Sequence, residues 1–256
     1  MVLFAGRRAF PKASQSSDEL AWLALPSPAA SDQPSSRQYD EGGFAMLRAG
    51  TARVLLRYPR FSFRPTQSDA LHLDLWIGSR NVIRDAGSYS YNTTPDLSAY
   101  FAGTASHSTI QFDGRDQMPH LSRFLFGDWL TTDRLEPLQC EKETCRFGAG
   151  YRDREGAGHF RRVTMSPSRI IVEDEIDGFD ERAVLRWRLN PGEWRLTNRR
   201  VSDGICTLEV VADIPLDNMR LVTGEESLYY LEKHTIPVLE ITVGRPGRLI
   251  TTIAWS

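Results

Sequence analysis

Side chains that can do chemistry are concentrated between Gln67 and Asp116 of this 256-residue chain. An imidazole can bind a metal or transfer a proton near neutral pH, and a phenol can act as base and acid when nearby cations lower its pKa. The stretch holds two histidines, one carboxylate at the end of a strand-like segment, and three tyrosines in a glycine-bearing loop: His72, His107, Asp85, Tyr89, Tyr91 and Tyr100.

Asp85 and His107 stand at the two ends of that loop. Asp85 is followed by Ala86-Gly87, a turn that could leave its carboxylate facing the loop, and His107 lies where the loop passes into a strand. Each has an ordinary structural alternative, because Asp at a strand end commonly makes an Asx turn and a lone His is commonly hydrogen-bonded through its ring nitrogens. Both interpretations stay open from the residues alone.

His72 and His159 lie in alternating segments. Because Leu71, Leu73 and Leu75 occupy one face of their strand, His72 is expected on the opposite, more polar face, where a packing role is equally consistent. The basic residues that follow His159 would suit an acidic polysaccharide, although charges also protect the edges of sheets from aggregation.

The elements that must position these groups are strands. From Gly42 onward the apolar pattern repeats every two residues, and short segments alternate with Gly, Pro, Asn and Asp turns, which predicts an all-β fold, a large antiparallel β-sandwich. Trp187 and Trp194 are expected in its core. No helix of normal length is expected after residue 42. The predicted strands include Gln139–Phe147, His159–Met165, Arg169–Ile176, Arg182–Leu189, Cys206–Ala212, Ser227–Glu232 and Val238–Val243.

Residues 1–41 differ from the rest. Ser16 and Glu19 have capping-box spacing ahead of a short helical segment, Glu19 to Leu25, and a Pro- and Ser-rich linker follows. We therefore expect residues 1–41 to be the tail of a preceding helical region plus a linker, and residues 42–256 to be the sandwich domain.

The charge, hydrophobic pattern and cysteine count of the chain exclude several classes of protein. With 31 basic and 33 acidic residues, a net charge of −2, nothing suggests nucleic acid as a partner. No apolar run approaches the roughly 20 residues needed to cross a bilayer, and no export signal is visible. Cys140 and Cys145 could pair across a hairpin, but three cysteines are few and free thiols are expected.

Three segments together resemble one protein family. Asp69-Ala-Leu-His-Leu-Asp-Leu-Trp, Arg84-Asp-Ala-Gly-Ser-Tyr-Ser-Tyr-Asn and Ser106-His-Ser-Thr-Ile-Gln-Phe-Asp-Gly resemble the C-terminal β-sandwich domain of the heparinase II/III-like polysaccharide lyases. The resemblance covers residues 42 to 190 well. It implies an N-terminal α/α toroid ahead of the sandwich, with the active cleft between the two, and a bacterial envelope setting.

The resemblance also implies a reaction. The family cleaves uronate-containing polysaccharides by β-elimination, which requires neutralisation of the uronate carboxylate, a base for the C5 proton and an acid for the leaving oxygen. The toroid supplies most of this set, and the sandwich adds groups from the edge of the cleft. The expected cleft groups here are Tyr91, Tyr100, His72 and His107, and the residues expected to contact acidic sugar are Tyr89, Asn92, His159 and Arg161.

Many family members hold a zinc ion in the sandwich. The resemblance carries two of its ligands onto Asp85 and His107, but the third falls on Gln67. An amide is a weak, neutral zinc ligand compared with imidazole, so we expect no metal here or a weak Zn²⁺ site.

Two functions follow as hypotheses. The first is the C-terminal domain of a lyase for heparin-, alginate- or exopolysaccharide-like chains, inactive without the toroid, which would belong to the same or an adjacent polypeptide. The second is a non-catalytic module that binds acidic carbohydrate or serves as a scaffold.

Overall fold

The computed structural model describes residues 35–122 and 124–256, together with the backbone of two short strands nearer the N-terminus. The helix expected at Glu19–Leu25 and most of the expected linker lie outside the described residues. In chain order the elements are β1 Leu3–Phe4, β2 Arg7–Arg8, β3 Arg37–Tyr39, β4 Phe44–Ala49, β5 Ala52–Arg57, β6 Leu73–Ile77, β7 Arg80–Ile83, α1 Pro95–Ala102, β8 Ile110–Phe112, β9 His120–Ser122, β10 Leu125–Phe126, β11 Thr132–Glu141, β12 Thr144–Arg152, β13 Gly158–Ser166, β14 Arg169–Asp177, β15 Ala183–Arg188, β16 Arg195–Thr197, β17 Arg200–Ser202, β18 Cys206–Ala212, β19 Asn218–Glu226, β20 His234–Val243 and β21 Gly247–Trp255.

The unit from Ser36 to Ser256 is the predicted antiparallel β-sandwich. One sheet has eight strands in the order β11-β12-β13-β14-β21-β18-β17-β16. The second layer consists of a five-stranded meander, β3 to β7, and a four-stranded sheet, β19-β20-β15-β8, which meet at a bridge between Ile83 and Leu189. The domain start predicted at residue 42 falls within the first hairpin, because β3 pairs with β4.

Alternation of buried and exposed side chains explains why these residues form strands. In β14 every second side chain, from Ile170 to Ile176, is buried, and one continuous apolar core lies between the layers. Trp187 and Trp194 belong to that core, as expected. The indole Nε1 of Trp187 donates to Thr251 Oγ1 of β21 at 3.1 Å, so a polar link also joins the two layers.

Two predicted strands are wrong. Gln139–Phe147 contains the turn between β11 and β12, where Lys142 takes a φ of +53° without a glycine or proline to signal it. Ser227–Glu232 is a loop rather than a strand, despite its alternating pattern. The strands predicted at His159–Met165, Arg169–Ile176 and Cys206–Ala212 are confirmed within one residue at each end.

The expectation of free thiols is wrong for two of the three cysteines. The β11–β12 hairpin sets Cys140 directly opposite Cys145, and the two form a disulfide. Cys206 is a free, buried thiol.

An eight-residue helix, α1, interrupts the loop between β7 and β8. Thr94 precedes Pro95 at the first helical position, a combination that favours a helix start. Within the described part of the chain, no helix has both the length and the apolar character needed to span a bilayer.

Candidate functional site

Asp85 is held by the turn that follows β7. Its Oδ1 accepts a hydrogen bond from the Gly87 amide at 2.6 Å, which is the Asx turn that the sequence left open. Gly87 has a φ of +77°, and a Cβ there would overlap the carbonyl oxygen of Ser227, to which Gly87 forms a bridge. This turn therefore requires glycine, and it fixes the direction of the Asp85 carboxylate.

His107 and His72 converge on that carboxylate from two other segments. His107 Nδ1 lies 2.7 Å from Asp85 Oδ2, and His72 Nε2 lies 3.6 Å from the same oxygen. The two rings meet edge to face with their centroids 5.5 Å apart. The structure thus brings together Asp85 and His107, which the sequence placed at the two ends of one loop, and His72 from an alternating segment. We call them the His72–Asp85–His107 cluster.

The hydrogen bonds define where the protons lie. The Ser108 backbone N–H donates to His72 Nδ1 at 2.9 Å, so the ring proton of neutral His72 must be on Nε2. Burial lowers the pKa of His72 to about 3, which keeps that ring neutral. Burial opposes ionisation of Asp85, but the charge and hydrogen bond of His107 outweigh it and hold the pKa of Asp85 well below its usual range.

With the hydrogen bonds that it makes in this structure, the donor set fits a zinc ion poorly. The cluster offers ligand atoms that all lie within 4.8 Å of one another. However, a neutral imidazole ligates through a nitrogen without a proton, and the nitrogen of His72 that faces Asp85 carries one. Gln67, where the resemblance puts the third ligand, donates instead to Ser88 Oγ at 3.2 Å. In residues 35–122 and 124–256 the ligands left for zinc at this cluster are Asp85 and His107.

Tyr91 is the most accessible of the expected cleft groups. Its side chain is 63% exposed, and its ring contacts Phe124 and Tyr230 at centroid distances of 5.9 and 6.2 Å. The neighbouring Asn92 is also exposed, and its backbone N–H donates to Ser90 Oγ at 3.1 Å. By contrast His107 is fully buried and His72 nearly so, and neither presents a ring nitrogen to solvent.

Tyr100 is half-buried and its hydroxyl lies among donors. It accepts from Arg188 Nη1 at 3.1 Å and from the Glu225 amide at 3.0 Å. Tyr89 stacks on Phe101 at 5.6 Å, and the Lys233 ammonium lies 5.5 Å from the Tyr89 ring centroid. Tyr89, Tyr91 and Tyr100 therefore lie along one edge of the domain, which we call the tyrosine edge, but their environments differ.

His159 and Arg161 lie inside the domain, at odds with the contact to acidic sugar expected of them. Both bind the carboxylate of Asp174, with His159 Nε2 at 2.7 Å and Arg161 Nε at 2.6 Å. Arg161 Nη1 also donates to the carbonyls of Leu71 and Ser108, each at 2.7 Å. Arg161 therefore supports the backbone on either side of the cluster, because a buried charge needs such partners. Both side chains are buried and present no surface to a polymer.

The sequence missed the loop at residues 227–232. All four residues from Leu228 to Leu231 are exposed, Tyr229 by 70%, and Tyr230 packs beside Tyr91 with its hydroxyl 3.1 Å from Ser90 Oγ. The Leu231 amide donates to the Tyr89 carbonyl at 2.9 Å. This bond ties the loop to the one that carries Tyr89 and Tyr91, which we call the tyrosine loop. The signal was present as two adjacent tyrosines between leucines, but the alternation was interpreted as a strand.

Three solved structures of lyases superpose on this chain. The chain superposes on a heparinase III with a TM-score of 0.73 at 19% identity, covering 91% of this chain and 38% of that one. For the heparan sulfate lyase HepC from Pedobacter heparinus the TM-score is 0.68 at 17% identity, and the match covers 93% of this chain and 38% of that one. For a chondroitin AC lyase from Streptomyces coelicolor the TM-score is 0.53 at 11% identity, and the match covers 92% of this chain and 34% of that one. The chain thus spans well under half of each of these proteins.

A search of curated proteins found no significant match to the chain. The family model described as heparinase II/III-like, C-terminal, matches residues 31–235, which is most of the sequence. The match includes the strands and loops that build the His72–Asp85–His107 cluster and the tyrosine edge. The chain belongs to the heparinase II/III-like C-terminal domain family.

Proposed function

We propose that this chain is the C-terminal domain of a polysaccharide lyase that cleaves uronate-containing chains by β-elimination. The observation that carries the proposal is the family membership of the chain, together with an exposed tyrosine edge built on the family's most recognisable segments. In that reaction a base removes the C5 proton, the C4–O bond breaks with formation of the C4=C5 double bond, and an acid protonates the leaving oxygen.

Of the expected cleft groups, Tyr91 is the one best placed to reach the polymer. It is exposed, whereas the imidazoles of the cluster face inward and the Tyr100 hydroxyl is engaged by Arg188 and Glu225. We assign Tyr91 to proton transfer at the cleft. Asp85, His72 and His107 act as positioning residues that hold the loop on which Tyr91 stands.

The proposal includes a missing partner. The chain spans 38% of the heparinase III structures, and neutralising the substrate carboxylate requires groups beyond Tyr91 and Asn92. We propose that an N-terminal α/α toroid, in the same or an adjacent polypeptide, supplies them.

The test follows the absorbance of unsaturated product from heparan sulfate, alginate and bacterial exopolysaccharides. We expect no turnover by the isolated chain, turnover when the chain is joined to its upstream region, and loss of at least about 100-fold in that activity for Tyr91→Phe. Tyr39→Phe, another exposed tyrosine, is the control and should keep full activity. Turnover by the isolated chain would contradict the need for a toroid.

We further propose that the cluster works without zinc. The hydrogen bond from Ser108 to His72 and the turning of Gln67 toward Ser88 support this. Elemental analysis of protein purified without added metal should find well below one zinc per chain. One zinc per chain that is lost in Asp85→Ala would show that the cluster does bind metal.

The second candidate is a non-catalytic module for acidic carbohydrate, favoured by the exposed aromatic side chains of the tyrosine edge. Saturable binding of heparan sulfate or alginate in titration calorimetry, without product even in the presence of the upstream region, would favour this function over the lyase.

A further inference from the structure

A groove beside the tyrosine loop is lined by uncharged polar side chains. It lies between the segment before β6, the tyrosine loop and α1, and we call it the Gln67 groove. Its polar side chains are hydroxyls and one amide: Thr66, Gln67, Ser88, Ser90 and Ser98. None of the lining side chains in the described part of the protein carries a charge.

Aromatic rings complete the groove. Tyr91 and Phe124 are 63% and 47% exposed, and their rings lie 5.9 Å apart, while Phe101 is buried beneath them. A pyranose has an apolar face of C–H groups and a rim of hydroxyls. Exposed rings beside hydroxyl and amide groups match both features of such a sugar.

Gln67 has a spare hydrogen-bonding atom in this groove. Its Nε2 donates to Ser88 Oγ at 3.2 Å, and its Oε1 receives no hydrogen bond from any described residue. Gln67 is partly exposed, so its amide is accessible to a ligand while the hydrogen bond to Ser88 orients it. Gln67 therefore places an acceptor oxygen without a described partner in the groove.

We propose that the Gln67 groove binds an uncharged sugar residue of the polysaccharide, the neighbour of the uronate, through the Gln67 amide and the rings of Tyr91 and Phe124. The described lining residues are neutral, which favours an uncharged sugar over a uronate or sulfated one, because none of these side chains offers a cation to compensate an anion that leaves water. The proposal rests on the proposed function in taking a polysaccharide as ligand, and it assigns the class of sugar at one subsite.

The test is a titration of the full 256-residue chain, labelled with ¹⁵N, with N-acetyl-D-glucosamine and separately with D-glucuronate. The uncharged sugar should shift the side-chain amide of Gln67 and the backbone amides of residues 88–92, and glucuronate should not at the same concentration. Gln67→Ala should raise the Kd for the uncharged sugar about three- to tenfold, the effect of one neutral hydrogen bond. Phe124→Ala should raise it as well, and the exposed Gln139→Ala, on β11, should leave it unchanged.

The spectra also report folding, so a variant that fails to fold is recognised and Gln67→Asn then takes its place, with the same expected rise in Kd. Two results would overturn the proposal. One is that glucuronate shifts these amides at the same or a lower concentration than the uncharged sugar. The other is that the uncharged sugar shifts none of them even at a concentration tenfold above a millimolar Kd. The lyase proposal can fail separately. If the chain joined to its upstream region forms no unsaturated product but the uncharged sugar still shifts the groove amides, the groove is a neutral-sugar site on a non-catalytic module.

Discussion

The Asp85 carboxylate faces three N–H donors: the rings of His72 and His107 and the amide of Gly87. Two of them are within hydrogen-bonding distance, whereas His72 Nε2, at 3.6 Å, contributes through its dipole. These ring and backbone N–H groups surround the carboxylate and fix the start of the loop that follows it.

Removing that carboxylate should destabilise the domain. Asp85→Ala leaves the buried His107 Nδ1–H and the Gly87 N–H without their acceptor, so we expect the free energy of unfolding to fall by about 2–4 kcal/mol. Urea denaturation measures it, with exposed Asp180→Ala as the control, for which a change within about 0.5 kcal/mol is expected. The free energy of unfolding of Asp85→Asn, which keeps one acceptor oxygen, should lie between those of Asp85→Ala and Asp180→Ala. An unchanged unfolding midpoint for Asp85→Ala would contradict the positioning role.

A pH dependence follows from His159. Burial holds the pKa of His159 below its ordinary value, so the folded state keeps the ring neutral while the unfolded state takes up a proton as the pH falls below about 6.5. The group therefore lowers the free energy of unfolding as the pH falls from about 6.5, by at most about 1.4 kcal/mol per pH unit.

The comparison of wild type with His159→Gln isolates this contribution. Urea midpoints at pH 7.5 and 5.5 should differ less in the variant, whose amide can still donate to Asp174. The pKa of Asp174 is lowered, so that carboxylate titrates below this pH range and does not mask the effect. Equal differences in the two proteins would show that His159 is protonated in the folded state.

At the scale of elements, local patterns predicted the strands that have one buried and one exposed face. The segments at Arg169–Ile176 and Cys206–Ala212 alternate cleanly, because each lies in the eight-stranded sheet with one side on the core. The pattern failed at Lys142, where a turn occurs without glycine or proline, and at residues 227–232, whose shape depends on the bridge from Ser227 to the distant Gly87. Contacts of that kind leave no local trace in a sequence.

Neighbouring threonines on β21 offer a matched test of the sandwich. Thr251 is buried and accepts from the Trp187 indole of the other layer, whereas Thr252 points to the opposite face. Thr251→Val leaves a buried indole N–H unpaired and should lower the free energy of unfolding by about 1–3 kcal/mol. Thr252→Val should change it by less than about 0.5 kcal/mol. Equal effects at the two positions would contradict the link between the layers.

At the scale of the whole molecule, the fold class and the family could be predicted from the sequence, and the geometry of the site could be predicted only in part. The proximity of Asp85 and His107 was implied by the family resemblance, which assigned both to one set of ligands, whereas the residues alone left it open. The placing of His72 beside them was not implied, because it depends on the turn from Asp69 to His72, in which Leu71 takes a φ of +59°. The burial of His159 and Arg161 was missed since it requires their partner Asp174, on the next strand.

The order of strands in the eight-stranded sheet has a consequence for the nascent chain on the ribosome. The meander β3 to β7 pairs only neighbours in sequence and can form as it emerges. β21 instead lies between β14 and β18, so the eight-stranded sheet remains in two pieces, each with an open edge, until residues 247–255 have been made. Until then those edges are free to pair with other chains, and the interval is the period in which this domain most needs protection by chaperones.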